Sequence, residues 1–307
     1  MAGRRRERGT GSSARTSSSS HLPTTPVPTS LATAELRWDG PDEVTLLLDG
    51  AESSALDLRD PARLVFEYMQ QMRVILDATM PSGALRVMHL GGAACAFPRA
   101  IDAARPGSSQ VAVELDGQLA GLVREWFDLP RSPRLRIRVG DAREVLQGQR
   151  IGAWQVMVRD VFAGTQVPRP ARTLQAAQAA RAALGAEGLY LVNAAHRPPA
   201  VDVRAEIAAL QQAFGAEPGQ VLAVTDPGIR RGRRHGNVVL AAASTGLPVA
   251  EIERGLRRLP LPAGLMTGHD LDRFRAGAAS TQDRPGRAPA TPGERAETPA
   301  AVAPPAS

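Results

Sequence analysis

Arg86-Val87-Met88-His89-Leu90-Gly91-Gly92-Ala93-Ala94-Cys95-Ala96-Phe97-Pro98, continuing to Val111-Ala112-Val113-Glu114-Leu115-Asp116, decides the fold of this chain. It reads as strand, small-residue turn, helix and strand, with an acid closing the second strand. That order is how a doubly wound sheet holds an adenosine-containing ligand. Val87, Met88 and Leu90 run into Gly91 and Gly92, then Ala93 and Ala94. Residues this small permit a tight turn and let ligand atoms approach the backbone. A helix then opens near Pro98, where the missing N–H costs nothing. Glu114 stands 23 residues beyond Gly91, at the carboxyl end of the second strand, where ribose hydroxyls are usually held. The spacing fits a nucleoside ligand, although the glycine pattern is not G-x-G-x-x-G.

Outward from this unit, residues 84–245 alternate between strand and helix patterns. Strands are predicted at 86–90, 110–115, 135–139, 154–158, 189–193, 221–225 and 237–242. Helices are predicted at about 96–104, 117–127, 142–147, 173–184 and 200–213. Strands separated by helices argue for a largely parallel sheet. The last two are joined by the turn-rich 226–236 with no helix between, which predicts an antiparallel pair. The result is an α/β fold of the class I methyltransferase-like (Rossmann-like) kind. Its mostly parallel seven-stranded sheet ends in an antiparallel strand.

Residues 35–83 form a small N-terminal β region and a leading helix. The β pieces, 35–38 and 44–48, are set off by the turns Asp39-Gly40-Pro41-Asp42 and Asp49-Gly50. Asp60-Pro61 opens the helix, which carries Leu64, Val65, Tyr68, Met72 and Ile75. Residues 246–276 read as a helical appendage with a helix over 249–259. Residues 1–34, rich in Ser, Thr, Arg and Pro, and the Pro-rich 277–307 cannot bury enough apolar surface to offset their ordering entropy. Both are predicted to be disordered tails.

Composition removes several function classes. All 37 basic residues are arginine, which excludes Walker-A nucleotidases and Schiff-base enzymes, since both need a lysine amine. Residues 1–34 hold five Arg against one Glu, and residues 35–276 hold 29 Arg against 27 acids. With almost nothing titrating at alkaline pH, this small excess makes a pI near 10.8, and no nucleic-acid partner is expected. The single Cys95 excludes an intrachain disulfide and makes a Cys-based zinc site implausible, so no metal is expected. No apolar run reaches the roughly 18 residues that span a membrane. Arg4-Arg5-Arg6 is not followed by an apolar run, and the expectation is a cytoplasmic protein without membrane partners.

Ligands of such sheets sit at the carboxyl ends of the strands near the switch point. Gly91 and Gly92 follow the first strand, Glu114 ends the second, Asp141-Ala142 follows the third and Asp160 ends the fourth. Glu114 would accept from ribose hydroxyls and Asp141 from an exocyclic adenine amine, with Ala142 leaving the ring room. Asp160 would stabilise positive charge or take a proton. An acid in this position also caps the helix that follows it, but three in register after successive strands point to a pocket. Arg230, Arg231, Arg233, Arg234 and His235 read as a solvated basic hairpin tip. His89 reads as a core histidine and Cys95 as a packing residue. His196, after the fifth strand near the pocket mouth, also has a substrate role as its alternative.

These residues resemble the spermidine synthase-like proteins, the polyamine aminopropyltransferases and their relatives. The resemblance covers about 42–245. It rests on Leu48-Asp49-Gly50, Asp57-Leu58-Arg59-Asp60-Pro61, Leu90-Gly91-Gly92, Val113-Glu114-Leu115-Asp116, Gly140-Asp141-Ala142, Asp160 and Gly188-Leu189-Tyr190-Leu191-Val192-Asn193. It implies a β region capping a methyltransferase-like domain. The implied co-substrate is decarboxylated S-adenosylmethionine or S-adenosylmethionine itself, with no permanently bound cofactor and a small-molecule amine as acceptor. Glu114 becomes the ribose ligand, Asp141-Ala142 the adenine contacts, and Asp160 the carboxylate that helps deprotonate the attacking amine. A homodimer through the β region is the implied assembly.

The chain also departs from that family. The usual Gly-Gly-Gly-Asp/Glu-Gly loop is here Gly91-Gly92-Ala93-Ala94-Cys95, without its acid. The usual Asp-Ser-Ser/Thr-Asp is Asp160-Val161-Phe162-Ala163, and Tyr-His-Glu becomes Phe66-Glu67-Tyr68. Ser53 or Ser54 stands where a donor-contacting Gln is expected. A diamine cation needs carboxylates, and this pocket has lost at least two. The expected function is aminopropyl transfer to an amine. The alternatives are S-adenosylmethionine-dependent methyl transfer and a catalytically degenerate nucleoside-binding module of the same fold.

Overall fold

The computed structural model describes residues 22–261 and 263–284. Its N-terminal part is an antiparallel sheet of β1 (Val27–Pro28), β2 (Thr33–Trp38), β3 (Glu43–Leu48) and β4 (Ala51–Asp57), in that order. Asp49 and Gly50 take φ of 48° and 77°, the left-handed pair that a two-residue hairpin needs. The Asp49 side chain also accepts the Thr33 N–H at 2.8 Å. One face of the sheet buries Ala34, Val44, Leu46 and Leu56.

The leading helix α1 spans Glu67–Thr79, six residues later than the Asp60-Pro61 start that the sequence suggests. The local aspartates explain the difference, because they close turns instead of capping a helix. Asp57 accepts the Arg59 and Asp60 N–H groups, and Asp60 accepts that of Ala62, each at 2.9 Å.

The central sheet has the order β12-β10-β11-β9-β8-β5-β6-β7. Its strands are β5 (Arg86–Leu90), β6 (Ser109–Glu114), β7 (Leu135–Val139), β8 (Trp154–Arg159), β9 (Leu184–His196), β10 (Val221–Thr225), β11 (Gly236–Ala242) and β12 (Gly264–Thr267). β7, β6, β5, β8 and β9 run parallel, whereas β11 lies antiparallel between β9 and β10. The parallel sheet with an antiparallel end is as expected, but it has eight strands rather than seven. The extra strand, β12, pairs antiparallel with β10 and lies inside the stretch expected as a helical appendage, beyond its predicted helix. It is four residues long with only Met266 buried, too short to leave a period-two signature. The β10–β11 connection, expected as a bare turn, holds a four-residue helix, α7 (Pro227–Arg230), capped by Asp226.

Helices cover both faces. α1, α2 (Ala96–Ala104), α3 (Gly117–Trp126) and α8 (Val249–Leu256) share one apolar cluster with the N-terminal sheet. α4 (Ala142–Gln147), α5 (Leu174–Ala183), α6 (Val201–Phe214) and α9 (Gly268–Arg275) build the other. Val87 joins the first cluster and Met88 and Leu90 the second, as alternation along a strand requires. No helix among the described residues is long and apolar enough to cross a membrane.

The expected disordered tails are shorter on the described side. Residues 22–34 carry β1 and the start of β2, and Asp116 accepts the Ser30 and Leu31 N–H groups at 3.1 and 2.8 Å. At the other end, Thr281 accepts the Leu174 N–H at 2.8 Å and Asp283 pairs with Arg143 at 2.8 Å. Leu22 and Ala34 join the apolar core and Val27 packs against it, so hydrogen bonds, an ion pair and some apolar burial together hold these segments. The rest of both tail expectations, 1–21 and 285–307, lies outside the described residues.

Candidate active site

The turn after β5 is fixed from both sides. Gly91 donates its N–H to the Val113 carbonyl at 3.0 Å, and Leu90 accepts the Asp160 N–H at 2.8 Å. Gly91 holds φ +99°, and a Cβ there would collide with the Asp160 carbonyl, 2.7 Å from its carbon. Only glycine fits. Ala93 and Cys95 also hold positive φ, 40° and 55°, a strain on the order of 1–3 kcal/mol each. The left-handed turn thus survives without further glycines. Burial pushes the Cys95 thiol up to about 12, with the Glu114 charge adding to it, so Cys95 is an inert packing group.

Glu114 fastens this turn to β6. Its Oε2 accepts the Gly92 and Ala93 N–H groups at 3.2 and 2.8 Å, and its Oε1 accepts that of Asp116 at 3.0 Å. Oε2 thereby uses both its lone pairs and Oε1 keeps one, enough to receive one ligand hydroxyl. Asp141 caps α4, its Oδ1 accepting the Arg143 and Glu144 N–H groups at 2.8 and 3.0 Å. Both bonds use the same oxygen, so the cap leaves Oδ2 as an acceptor. Capping and ligand binding are therefore compatible in this residue. Asp116, by contrast, is wholly structural. Against the upward push of burial, donors from Leu119, Thr29, Leu31 and Ser30 hold its carboxyl below the usual range.

Asp160 lies at the end of β8 with both oxygens engaged. Oδ2 accepts from the Tyr68 hydroxyl at 2.8 Å and Oδ1 from the Asn193 amide at 2.9 Å. Asn193 in turn accepts from the Asn237 amide at 3.0 Å. The chain Tyr68–Asp160–Asn193–Asn237 thereby ties α1, β8, β9 and β11 together. Burial raises the Asp160 pKa from its ordinary value, opposed by the bonds from Asn193 and Tyr68 and by the Arg159 charge. Burial and the Asp160 charge push the Tyr68 phenol well above its own value, so it keeps its proton and donates. A carboxylate so placed is a better base than an exposed one.

Gly91, Gly92, Glu114, Asp141, Ala142 and Asp160 all line one cavity of about 620 Å³, a size typical of small-molecule sites. Every site residue named from the sequence is there. Ser53, Ser54, His196 and His235 also line it, whereas His89 sits in the core as expected, its Nε2 2.9 Å from Gln110 Oε1. Sequence reasoning missed several polar members of the wall, Tyr68, Asn193 and Asn237 among them. Tyr68 passed as one of an apolar helical stripe, Asn193 as a strand residue and Asn237 as the start of another strand. The signal was there in Asn193, a polar side chain inside the apolar run of β9, since such groups need a buried partner.

No family model matches the chain. It is 31% identical to a probable spermidine synthase from Corynebacterium glutamicum, covering 87% of this chain and 98% of that one with a TM-score of 0.78. A spermidine synthase solved in complex with the transition-state analogue AdoDATO shares the fold at 14% identity, with a TM-score of 0.53 over 83% of each chain. The chain is also 26% identical over 147 residues to a polyamine aminopropyltransferase from Chromobacterium violaceum. That match takes in 46% of this chain and 53% of the other, about half the relative's length.

Proposed function

The chain belongs to the spermidine synthase-like family, and from that premise we propose that it transfers an aminopropyl group from decarboxylated S-adenosylmethionine to an amine. The observation that carries this reading is Asp160, held between Tyr68 and Asn193 at 2.8 and 2.9 Å in the cavity that also contains Glu114 and Asp141. The analogue carried by one fold relative is consistent with an adenosyl donor.

In this reading Glu114 holds a ribose hydroxyl, Asp141 and Ala142 the adenine, and the Gly91-Gly92 backbone the body of the donor. The acceptor enters as an ammonium and gives one proton to Asp160. Its freed lone pair attacks the aminopropyl carbon bound to sulfur. The new C–N bond forms as the C–S bond breaks, the electron pair goes to sulfur, and methylthioadenosine leaves. The protein supplies position and a proton acceptor. No metal or resident cofactor enters the balance.

Calorimetry with methylthioadenosine, and product analysis with decarboxylated S-adenosylmethionine and a panel of amines, test the reading. Binding of the nucleoside and an aminopropylated product are expected. A preference for S-adenosylmethionine with a methylated product would move the assignment to methyl transfer. Nucleoside binding without turnover of any amine would leave a binding module.

A further inference from the structure

Next to Asp160 the cavity wall is apolar. The Tyr68 hydroxyl reaches Asp160 at 2.8 Å, and the Phe66 ring lies against the Tyr68 ring, centroids 5.8 Å apart. Phe66 directly precedes α1, and Met69 and Met72 follow on that helix at a spacing of three residues, which puts them on neighbouring turns. All three line the cavity, whereas Glu67, beside Phe66, is exposed and off the wall. Phe162 and Ala163, just beyond Asp160, line it as well. Phe162 is 37% exposed. An aromatic side chain left open on a cavity wall offers a large apolar face for a ligand to cover.

The charged groups of the wall are distributed in keeping with this. Four carboxylates line the cavity, Glu52, Glu114, Asp141 and Asp160. Glu114 and Asp141 stand in the half assigned to the nucleoside, after β6 and β7. Glu52 is exposed and paired with Arg37 at 2.6 Å. Each Asp160 oxygen accepts one hydrogen bond and keeps a second lone pair, so Asp160 can still receive an ammonium. Asn193 and Asn237 bond to one another and to Asp160, and Arg197 donates to Thr165. Beyond Asp160 the wall thus offers apolar surface, and a second charge brought there would be desolvated without a partner.

We infer that the acceptor is a primary amine with an apolar body, its ammonium at Asp160 and its carbon chain against Phe66, Met69, Met72 and Phe162. The inference rests on the aminopropyl-transfer reading for the reaction, while the preference for an apolar body belongs to the wall itself. The step balances as before: a proton passes to Asp160, the C–N bond forms as the C–S bond breaks, and the electron pair goes to sulfur. The product is a secondary amine carrying the aminopropyl group and the apolar chain.

The test compares 1-aminopentane with 1,4-diaminobutane, which match atom for atom except that a methyl replaces the second ammonium. Binding of each is measured by calorimetry on the full chain with methylthioadenosine present. The expected result is about tenfold or more tighter binding of 1-aminopentane, the scale of burying a methyl and sparing an ammonium its desolvation. Ala163→Asp puts a carboxylate at an exposed position of the wall and should erase or reverse the preference. Phe162→Ser, also exposed, should weaken 1-aminopentane more than the diamine. Tighter binding of the diamine, equal binding, or no binding of either overturns the inference. A preference unchanged in either variant overturns the part assigned to that residue. Turnover separates the two readings. If the diamine is both preferred and aminopropylated, the transfer reading stands and the inference fails. If 1-aminopentane binds tighter but is not aminopropylated, the apolar site stands and the transfer reading fails.

Discussion

The two halves of the cavity are built in different ways. Over β5, β6 and β7 the polar groups are satisfied before any ligand arrives, because Glu114 and Asp141 already accept five backbone N–H groups between them. Over β8, β9 and β11 the polar groups are side chains from distant positions, Asp160, Asn193 and Asn237, tied to one another and to Tyr68. The first half is a cradle held by backbone hydrogen bonds, the half to which the proposed nucleoside is assigned. The second is a side-chain surface whose charges can change without disturbing the first. The departure at Ala163, on the cavity wall after β8, falls in the second half, whereas the one at Ala94 is buried in the core behind the turn of the first.

The sharpest break of this contrast is Gly91→Ala, because Gly91 is where the halves touch. The added Cβ would strike the Asp160 carbonyl at an already left-handed φ of +99°. A loss of about 3 kcal/mol or more is expected in urea unfolding, with nucleoside binding abolished. Gly92→Ala is the control. Its Cβ would meet Glu114 Cβ at 3.2 Å, a contact that a small shift relieves, so its cost should stay near ~1 kcal/mol. Equal effects of the two substitutions would contradict the touching point.

Asp160→Asn separates the halves chemically. It keeps the size of the side chain and removes the proton acceptor, so turnover should fall by about a hundred- to ten-thousandfold. Methylthioadenosine affinity should stay nearly constant, since no bond of the nucleoside half is touched. If the proposed transfer holds, kcat/KM of the parent protein should rise with pH through the raised Asp160 pKa, because burial favours the protonated acid and only the carboxylate accepts the amine proton. That acid limb should vanish in the variant. Matching losses of affinity and turnover would show that the halves are not separable.

The same division explains what the sequence made legible. The nucleoside half arises within one continuous run, so spacing alone placed Gly91, Gly92, Glu114, Asp141 and Ala142 together at successive strand ends. The strand–helix alternation likewise gave the parallel sheet. Tyr68, Asn193 and Asn237 are brought together only by tertiary folding, and no local period marks them. β12 and the true start of α1 were hidden for a related reason. Short edge strands and aspartate turns are decided by their neighbours rather than by their own residues.

The nucleoside half rests on a buried neutral histidine, and this gives it a pH dependence of its own. Burial lowers the His89 pKa from 6.5 to about 4, against the bond with Gln110. A depressed folded pKa means that the unfolded chain binds the proton first. Stability is therefore present above the unfolded pKa and is lost as pH falls toward the folded one. Between pH 7 and pH 5 the loss should be about 2 kcal/mol, read from urea unfolding. His89→Gln can keep a hydrogen bond to Gln110 and should remove that part of the slope. An unchanged slope would mean that the histidine is already charged or exposed.

Tyr68→Phe is the mildest change and tests whether α1 acts through Asp160 or through the donor. The tyrosine hydroxyl donates to Oδ2 at 2.8 Å, and a donor to a carboxylate stabilises its ionised form. Removing it leaves the apolar ring in place and raises the Asp160 pKa further. At pH 7 kcat should drop about three- to tenfold, the scale of one hydrogen bond to a charged group. The acid limb should shift upward and much of the rate should return at higher pH, with the KM for the donor unchanged. A merely structural role would lower activity at every pH alike. A donor KM that rises in step with the fall in kcat would assign Tyr68 to the nucleoside half instead.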